Sequence, residues 1–318
     1  MIRLITWLRT MTQRPGSMAA LLAILIVCAI PGESFSQQGR EAAHFSATVG
    51  YSSSVFCYLD RENSQAAARL WVNLVMRGKN GAAETRVFQN QAELEHELQA
   101  GKLDLVVLLP NEYLSLRNRT LLEPLYLSKR TNELYDALLL ITRNDSGITA
   151  MHQLKGKNLI HPRGAANSVH RLWLETLTLR QGVREPKRYF SSMKEVITAS
   201  QALMPVFFKR ADACIISRNS FNVMAELNPQ LKKQMRIIEE TAPMATGVIC
   251  IRRSCDQRQR EQLKDILETL DRSVEGKQLL TLFRMSGLIP YQPSFLESSV
   301  AFLKKYYSLK NGAQRGGT

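Results

Sequence analysis

The sequence predicts an α/β protein of two lobes, each a mixed, mostly parallel sheet with flanking helices. From Phe45 onward, short apolar runs alternate with segments whose apolar residues recur at helical spacing, which is typical of strand–helix units. A polar turn at residues 144–147 separates two such series. The length of 318 residues also suits about two domains.

Residues 1–36 have the three parts of a secretory signal peptide. Three arginines precede an apolar run over residues 18–30, and Ser34 and Ser36 are small residues at the positions that a signal peptidase reads. The run is about 13 residues long, whereas a membrane-spanning helix needs about 20. We therefore expect cleavage after Ser36 and a periplasmic protein, with an uncleaved membrane anchor as the alternative.

The formal net charge of +14 at pH 7 limits the classes of partner. In a cytosolic protein such an excess would suggest nucleic acid, but export argues against that partner. An anionic ligand, an anionic membrane surface and solubility alone are all consistent with the charge. We expect a monomer that binds a small-molecule anion and no nucleic acid.

The mature chain would keep four cysteines: Cys57, Cys214, Cys250 and Cys255. Four cysteines allow three complete pairings, and an oxidising periplasm permits disulfides. Cys250 and Cys255 could pair if the strand that carries Cys250 turns promptly. Alternatively, Cys214 and Cys250 are buried thiols, since each lies in an apolar run. No Cys-x-x-Cys occurs, and we expect neither a metal nor another cofactor.

Ahead of the polar turn, the predicted strands are short apolar runs and the predicted helices carry one apolar face. The strands are residues 45–50, 85–88, 103–109 and 137–142, and the helices are residues 65–77 and 91–100. Residues 103–109 are continuously apolar, which favours a strand buried on both faces of a parallel sheet. Pro110 and Asn111 are expected to turn the chain.

The second series begins after the polar turn and ends where an apolar strand returns to the first lobe. Its predicted strands are residues 158–161, 188–190, 211–217 and 235–238, and its predicted helices are residues 151–155, 167–180, 193–207 and 221–227. The returning strand is residues 246–252. Helices at 257–271, 276–285 and 295–307 follow it, and residues 311–318 are expected to be disordered.

Three segments carry a resemblance to a known family. Residues 104–113 have an aspartate, an apolar strand, a proline and then a tyrosine. Residues 154–161 begin Leu-Lys-Gly-Lys, and residues 210–216 contain Ala-Asp-Ala, with Glu-Leu-Asn-Pro downstream. In this order, behind a signal peptide, they resemble the phosphate/phosphonate-type solute-binding proteins of ABC importers. The resemblance extends from Phe45 to Tyr307.

The resemblance implies the type II periplasmic-binding-protein fold, in which two strands cross at a hinge between the lobes. The first lobe would be residues 37–142 and 246–318, and the second would be residues 143–245. The ligand would lie in the cleft between them. This position agrees with the general rule that open α/β sheets bind ligands at the carboxyl ends of their strands.

Four loops between a strand and a helix carry the candidate ligand-binding residues. A small anion needs donors that offset its desolvation, and helix N-termini supply unpaired amides and the positive end of a dipole. Hydroxyl groups and an arginine fork add further donors. The candidates are Tyr51, Ser52, Ser53 and Ser54; Asn111 and Tyr113; His161, Arg163, Asn167 and Ser168; and Ser217 and Arg218.

Each candidate has an alternative interpretation. The three serines also suit an ordinary polar turn, and a nucleophile elbow would need a glycine where Ser54 stands. Asn111 could cap a helix, and Tyr113 could pack in a core. His161 could be a surface or capping residue, and Arg218 could be a solvated loop charge. The third loop also has two alanines where the family usually has serine or threonine, which weakens a phosphonate assignment.

We predict a binding protein without catalytic activity. The sequence has no His-Glu-x-x-His, no Walker loop and no Gly-x-Gly-x-x-Gly, and no pair of carboxylates stands out as acid and base. The first hypothesis is capture of a phosphate- or phosphonate-like anion for an ABC permease. The alternative is a ligand sensor that signals to a membrane kinase, cyclase or chemoreceptor. A third hypothesis is an enzyme on the same fold.

Overall fold

The computed structural model describes residues 45–56, 61–76, 81–130, 133–164, 168–282 and 285–315. The predicted signal peptide, Cys57 and Asn167 lie outside these ranges. Within the described residues, no helix combines the length and the apolar character needed to span a membrane. In the same ranges, no group of three or more histidine, cysteine or acidic residues is arranged to hold a metal ion.

The strands and helices alternate along the chain, as expected. The strands are β1 (Phe45–Ser52), β2 (Gly81–Phe88), β3 (Leu105–Leu108), β4 (Leu122–Arg130), β5 (Tyr135–Asp136), β6 (Leu138–Arg143), β7 (Asn158–Pro162), β8 (Ser192–Val196), β9 (Ala213–Ser217), β10 (Met235–Glu240), β11 (Met244–Ala245), β12 (Val248–Arg252) and β13 (Met285–Pro290). The α-helices are α1 (Arg61–Met76), α2 (Gln91–Gln99), α3 (Pro110–Ser115), α4 (Val169–Leu179), α5 (Pro186–Tyr189), α6 (Ala199–Phe207), α7 (Arg218–Leu227), α8 (Gln230–Gln234), α9 (Gln257–Glu268), α10 (Val274–Leu282) and α11 (Glu297–Arg315).

Two large sheets organise the molecule. The first has the strand order β13-β4-β12-β3-β1-β2, and the second has the order β10-β6-β9-β7-β8. We call each sheet with its packed helices a lobe: lobe 1 for the first sheet and lobe 2 for the second. The short strands β5 and β11 pair with each other in antiparallel fashion and form a separate ribbon, which we call the hinge.

The sheets are mixed and mostly parallel, as expected: four of the six strands in the first sheet and four of the five in the second run in the same direction. Strand β1 pairs in parallel with β2 and β3, and β7 pairs in parallel with β8 and β9. However, β12 runs antiparallel to both β3 and β4, and β6 runs antiparallel to both β9 and β10. The first strand after each hinge strand, β6 in the second sheet and β12 in the first, thus runs antiparallel to both strands beside it.

The chain passes from lobe 1 to lobe 2 earlier than expected. Residues 137–142 were assigned to the end of lobe 1, but β6 pairs with β9 and β10 in the second sheet. The C-terminal helix α11 also differs from its assignment to lobe 1, because Leu303 and Tyr306 pack with Leu172 of α4. Tyr306 Oη donates a hydrogen bond to Glu175 Oε2 at 2.6 Å, so this helix is joined to lobe 2 as well.

Apolar clusters cover both faces of each large sheet, which explains the continuous apolar runs in the central strands. In β3, Leu105 packs in the cluster beneath α1 and α9, whereas Val106 packs in the cluster on the opposite face. In β9, Cys214 and Ile215 are divided in the same way between two clusters. Alternating side chains of one strand therefore serve two cores.

Helix starts are set locally by capping side chains. Asn90 Oδ1 accepts a hydrogen bond from the Glu93 amide at the start of α2, and Asp256 caps α9 in the same way. Thr198 and Gln201 form a capping box at the start of α6. These side chains satisfy amides that have no partner within the helix, and they mark boundaries that sequence reasoning can find.

Several elements differ from their predictions. Strand β4 was missed because Glu123 and Pro124 interrupt its apolar pattern, and β13 was missed because Met285 was read as the end of a helix and residues 286–290 were assigned to no element. Residues 188–190 were expected to be a strand, but α5 lies there and the strand is β8. The expected disordered tail is also partly wrong, since α11 continues to Arg315.

Cys214, Cys250 and Cys255 are buried free thiols. The disulfide considered between Cys250 and Cys255 does not form, because the two side chains lie on opposite faces of the first sheet: Cys250 packs in one cluster and Cys255 in the other. Cys255 Sγ donates instead to Gln259 Oε1 at 2.8 Å. Burial raises the pKa of the Cys214 and Cys250 thiols, which keeps both protonated.

Candidate ligand-binding site

A cavity of about 390 Å³ lies between the two large sheets at the hinge. Residues of both lobes and of β5 and β11 line it, and we call it the cleft. Its wall combines hydroxyl, amide and guanidinium groups with apolar side chains from the hinge. From lobe 1 the polar lining residues are Ser53, Ser54, Ser64, Gln89, Asn111, Arg130 and Thr246; from the hinge and lobe 2 they are Asp136, Arg163, Ser168, His170 and Ser217.

The serine loop after β1 is divided between the cleft and the interior. Ser53 and Ser54 line the cleft in a short 3₁₀ helix. Ser52 does not: its Oγ donates a hydrogen bond to Glu112 Oε1 at 2.8 Å. Tyr51 lies in the core of lobe 1 against Phe56, with ring centroids 5.5 Å apart.

Glu112 is a buried carboxyl group that supports this wall from behind. Its Oε2 accepts a hydrogen bond from the Leu109 amide at 3.0 Å, while Oε1 holds Ser52. Burial raises the pKa of Glu112, although the hydrogen bonds from Leu109, Ser54 and Ser52 act in the opposite direction. The carboxyl group therefore connects the loops after β1 and β3, and it lies outside the cleft wall.

The second predicted loop, expected as a turn, is the short helix α3. Asn111 is only 1% exposed and lines the cleft. Tyr113 points into the core of lobe 1 instead, where the Arg119 guanidinium lies 5.8 Å from its ring centroid. Burial raises the pKa of Tyr113 to about 12. Successive positions on one helical turn thus face different surroundings.

The third loop leads from β7 to α4 and forms the lobe 2 wall. Arg163, Gly164, Ser168 and His170 line the cleft, and α4 begins at Val169 behind them. Because Ser168, Val169 and His170 at the start of α4 line the cleft, the positive end of the helix dipole lies at the cleft wall. A Cβ at Gly164 would lie 2.3 Å from His170 Cε1, so a larger residue here would require the His170 ring to move.

Two histidines lie in this wall, and only one of them faces the cleft. His161 is 3% exposed, and its Nδ1 lies 3.0 Å from the Pro162 carbonyl oxygen. His170 lines the cleft, and the centroid of its ring lies 6.3 Å from the centroid of the His161 ring. Burial, together with the nearby His161 and Arg171, lowers the pKa of His170 to about 3. His170 is therefore a neutral donor or acceptor at any physiological pH.

This depressed pKa predicts how stability changes with pH. Between pH 3 and 6.5 the unfolded chain protonates this histidine and the native protein does not, so acid favours unfolding. We expect His170→Gln to lose less stability than the parent protein between pH 7 and pH 5, by about 1–2 kcal/mol. Urea unfolding at the two pH values measures the difference. His152→Gln, at an exposed histidine, is the control, and equal losses in both variants would contradict the assignment.

In the fourth loop, side chains of the protein itself already accept hydrogen bonds from the first amides of α7. Ser217 lines the cleft, and its Oγ accepts a hydrogen bond from the Ser220 amide at 3.2 Å. Asp136 Oδ1 accepts from the Asn219 amide at 3.1 Å and from the adjacent Ala137 amide at 2.9 Å. A carboxylate of the hinge therefore occupies the position that an anionic ligand would take at α7.

Arg218 does not line the cleft. Its Nε donates to Glu240 Oε1 at 2.6 Å, and its Nη2 pairs with the other carboxylate oxygen of Glu240. Its guanidinium group is thereby held on the outer side of α7. Of the four predicted loops, the first three contribute donors that a ligand could reach, whereas α7 contributes mainly the Ser217 hydroxyl.

Arg130 and Arg163 give the cleft its positive charge. Both line the cavity, and neither forms an ion pair within the described part of the chain. Asp136 is the acidic side chain in the same described wall, and two amides hold its carboxylate. Arg130, Gln89 and Thr246 were missed by sequence reasoning. Arg130 ends the strand β4, whose interrupted pattern offered no signal.

The sequence profile that matches residues 56–295 is that of the ABC transporter phosphonate periplasmic substrate-binding proteins. The chain belongs to this family. Members of the family bind a small-molecule solute in the periplasm and work with an ABC permease. No curated protein is similar enough in sequence to be matched.

Solved structures of low sequence identity share the fold of this family member. PhnD1 from Prochlorococcus marinus in complex with methylphosphonate is 14% identical, with a TM-score of 0.59, covering 82% of this chain and 97% of its own. A binding protein component of an ABC phosphonate transporter from Pseudomonas aeruginosa is 13% identical, with a TM-score of 0.58, covering 86% and 96%. A Xanthomonas citri protein bound to ATP is 20% identical, with a TM-score of 0.57, covering 85% and 97%.

Proposed function

We propose that this protein binds a small phosphonate- or phosphate-like anion in its cleft and delivers it to an ABC importer. The observation that carries the proposal is that Arg130 of lobe 1 and Arg163 of lobe 2 line the same cavity. Each guanidinium is a planar fork whose donors match two oxygens of a phosphonate. An anion between them would therefore hold the two lobes together.

The start of α4 supports the same ligand class. Its first amides and dipole favour negative charge, and Ser53, Ser54 and Ser168 add hydroxyl groups around the cavity. The neutral state of His170 also suits this role, because the wall keeps a constant charge across the periplasmic pH range. The predicted contacts of Ser53, Ser54, Asn111, Arg163, Ser168 and Ser217 with ligand belong to this proposal.

We propose further that β5 and β11 act as the hinge about which the lobes close on the ligand. In this proposal the lobe boundaries fall at β5 and β11, close to residues 137 and 246, and residues 1–36 are a cleaved signal peptide. The protein acts as a monomer, without catalysis and without nucleic acid. Closure would shift the open–closed population through the ligand's higher affinity for the closed form.

Isothermal titration calorimetry on the purified protein tests the proposal. The panel contains methylphosphonate, 2-aminoethylphosphonate, inorganic phosphate, methanesulfonate, acetate and free arginine. We expect saturable binding of a phosphonate or phosphate, and a matching rise in melting temperature, because the ligand binds only the folded form. Binding of arginine alone, or turnover of a phosphonate or phosphate ester during incubation, would contradict the proposal.

A further inference from the structure

A second cavity, of about 100 Å³, lies inside lobe 1 next to the cleft. It occupies the space between one face of the first sheet and the helices α1 and α9. Val49 and Val107 belong to its sheet side, and Trp71 and Leu263 belong to its helix side. Most of its described wall is apolar, so it is not suited to hold an ion or a water cluster. We call it the apolar annex.

The annex has a clear origin in the sequence. Ala47 in β1 and Ala83 in β2 are directly paired across the two strands, and both line the annex. Larger apolar side chains at these two positions would fill the space between sheet and helix. Interiors are otherwise packed with few voids larger than a water molecule, so two adjacent small residues leave unusual room.

The annex adjoins the cleft. Phe56, Arg130 and Thr246 line both cavities, so these three residues separate two neighbouring spaces. Arg130 is a proposed partner of the bound anion, and the apolar space begins beside it. A ligand whose anionic group lies at Arg130 would therefore have an apolar pocket within reach of its substituent.

We propose that the ligand is an organic phosphorus anion, a phosphonate or phosphate monoester, whose short alkyl group enters the annex. The inference rests on the proposed function and adds the class of substituent. The annex has roughly two thirds of the 150 Å³ at which an apolar protein cavity accepts benzene, so about four carbons fit. Met76 and Met285 in its wall can adapt to the exact shape of the chain.

The first test is a series of n-alkylphosphonates measured by calorimetry on the unmodified protein. Methyl-, ethyl-, propyl-, butyl- and octylphosphonate have the same head group and differ only in chain length. We expect binding to tighten by about fourfold for each methylene from methyl to butyl, which is roughly 60-fold in all. Octylphosphonate should gain no more than butylphosphonate, because the annex is then full.

The second test fills the annex from the sheet side. Ala83→Leu should reduce the gain from methyl- to butylphosphonate to less than fivefold, while methylphosphonate binds as before. Ala82→Leu makes the same change on the neighbouring, exposed residue of β2, and it should keep the full gain. Thermal unfolding of both variants confirms that each is folded before titration.

The outcomes separate the inference from the proposed function. Binding of methylphosphonate with no gain in affinity for butylphosphonate would overturn the inference about the annex and leave the proposed function standing. Binding of no phosphonate, phosphate monoester or inorganic phosphate would overturn both, whereas binding of inorganic phosphate alone would overturn only the inference. An equal gain in Ala82→Leu and Ala83→Leu would place the alkyl group outside the annex and would also overturn the inference.

Discussion

Arg163→Ala should weaken binding of a phosphonate by about 1.5–3 kcal/mol, which is roughly 10- to 150-fold. Arg163 lies in the lobe 2 wall of the cleft and forms no ion pair in the described ranges. Removing it takes away charge-assisted hydrogen bonds to the anion without leaving a buried acid behind. Calorimetry with methylphosphonate measures the loss directly.

Two further variants separate the shape of this side chain from its charge. Arg163→Lys keeps the charge but loses the planar fork, so it should bind more weakly than the parent and more tightly than Arg163→Ala. Arg258→Ala removes one exposed positive charge from α9, away from the cleft, and should leave affinity unchanged. Unchanged affinity in Arg163→Ala would exclude Arg163 from the binding site.

Gly276→Ala should destabilise the fold by about 3 kcal/mol or more. A Cβ at this position would lie 1.7 Å from the Leu270 carbonyl oxygen and 2.7 Å from the Leu270 carbonyl carbon. Both atoms belong to the backbone, so the clash is relieved only if the connection between α9 and α10 moves. That movement would separate Leu270 and Leu280, which form a small cluster against Trp71.

Gly312→Ala is the matched control, because Gly312 lies in the helix α11 and a Cβ there meets nothing within 4 Å. Alanine favours a helix interior over glycine, so this variant should be neutral or more stable by up to about 1 kcal/mol. Urea unfolding of the two variants gives the comparison. Equal stability in both would show that α10 does not approach the Leu270 carbonyl group as described.

The site was partly predictable because its loops follow strands. The positions after β1, β3, β7 and β9 were identified from the rule that ligands bind at strand ends, and each of these loops reaches the cleft. The rule does not say which side chain of a loop points into the cavity. Ser53 and Ser54 do so, whereas the adjacent Ser52 is held by Glu112. That choice depends on a carboxyl group 60 residues away in sequence.

Arg130 illustrates what sequence reasoning missed and why. It lies at the end of a strand in which Pro124 and two charged residues obscure the apolar pattern. It reaches the cleft because β4 pairs with β12, which arrives from beyond lobe 2. Asp136 is a similar case, since its carboxylate matters only once the start of α7 lies beside the hinge. No local window of sequence contains either relationship.

The sequence by itself determined the alternation of strands and helices and the helix caps, because each depends on residues within one short segment. It also determined the family, from the order of three such segments along the chain. The tertiary structure alone decided the antiparallel insertion of β12, the separation of Cys250 from Cys255, and the placement of Arg130 and Arg163 in the wall of one cavity. These features depend on which distant segments pair across a sheet or a hinge. The physical reason is that propensity and capping act over a few residues, whereas pairing and burial act between segments that the chain brings together only when it folds.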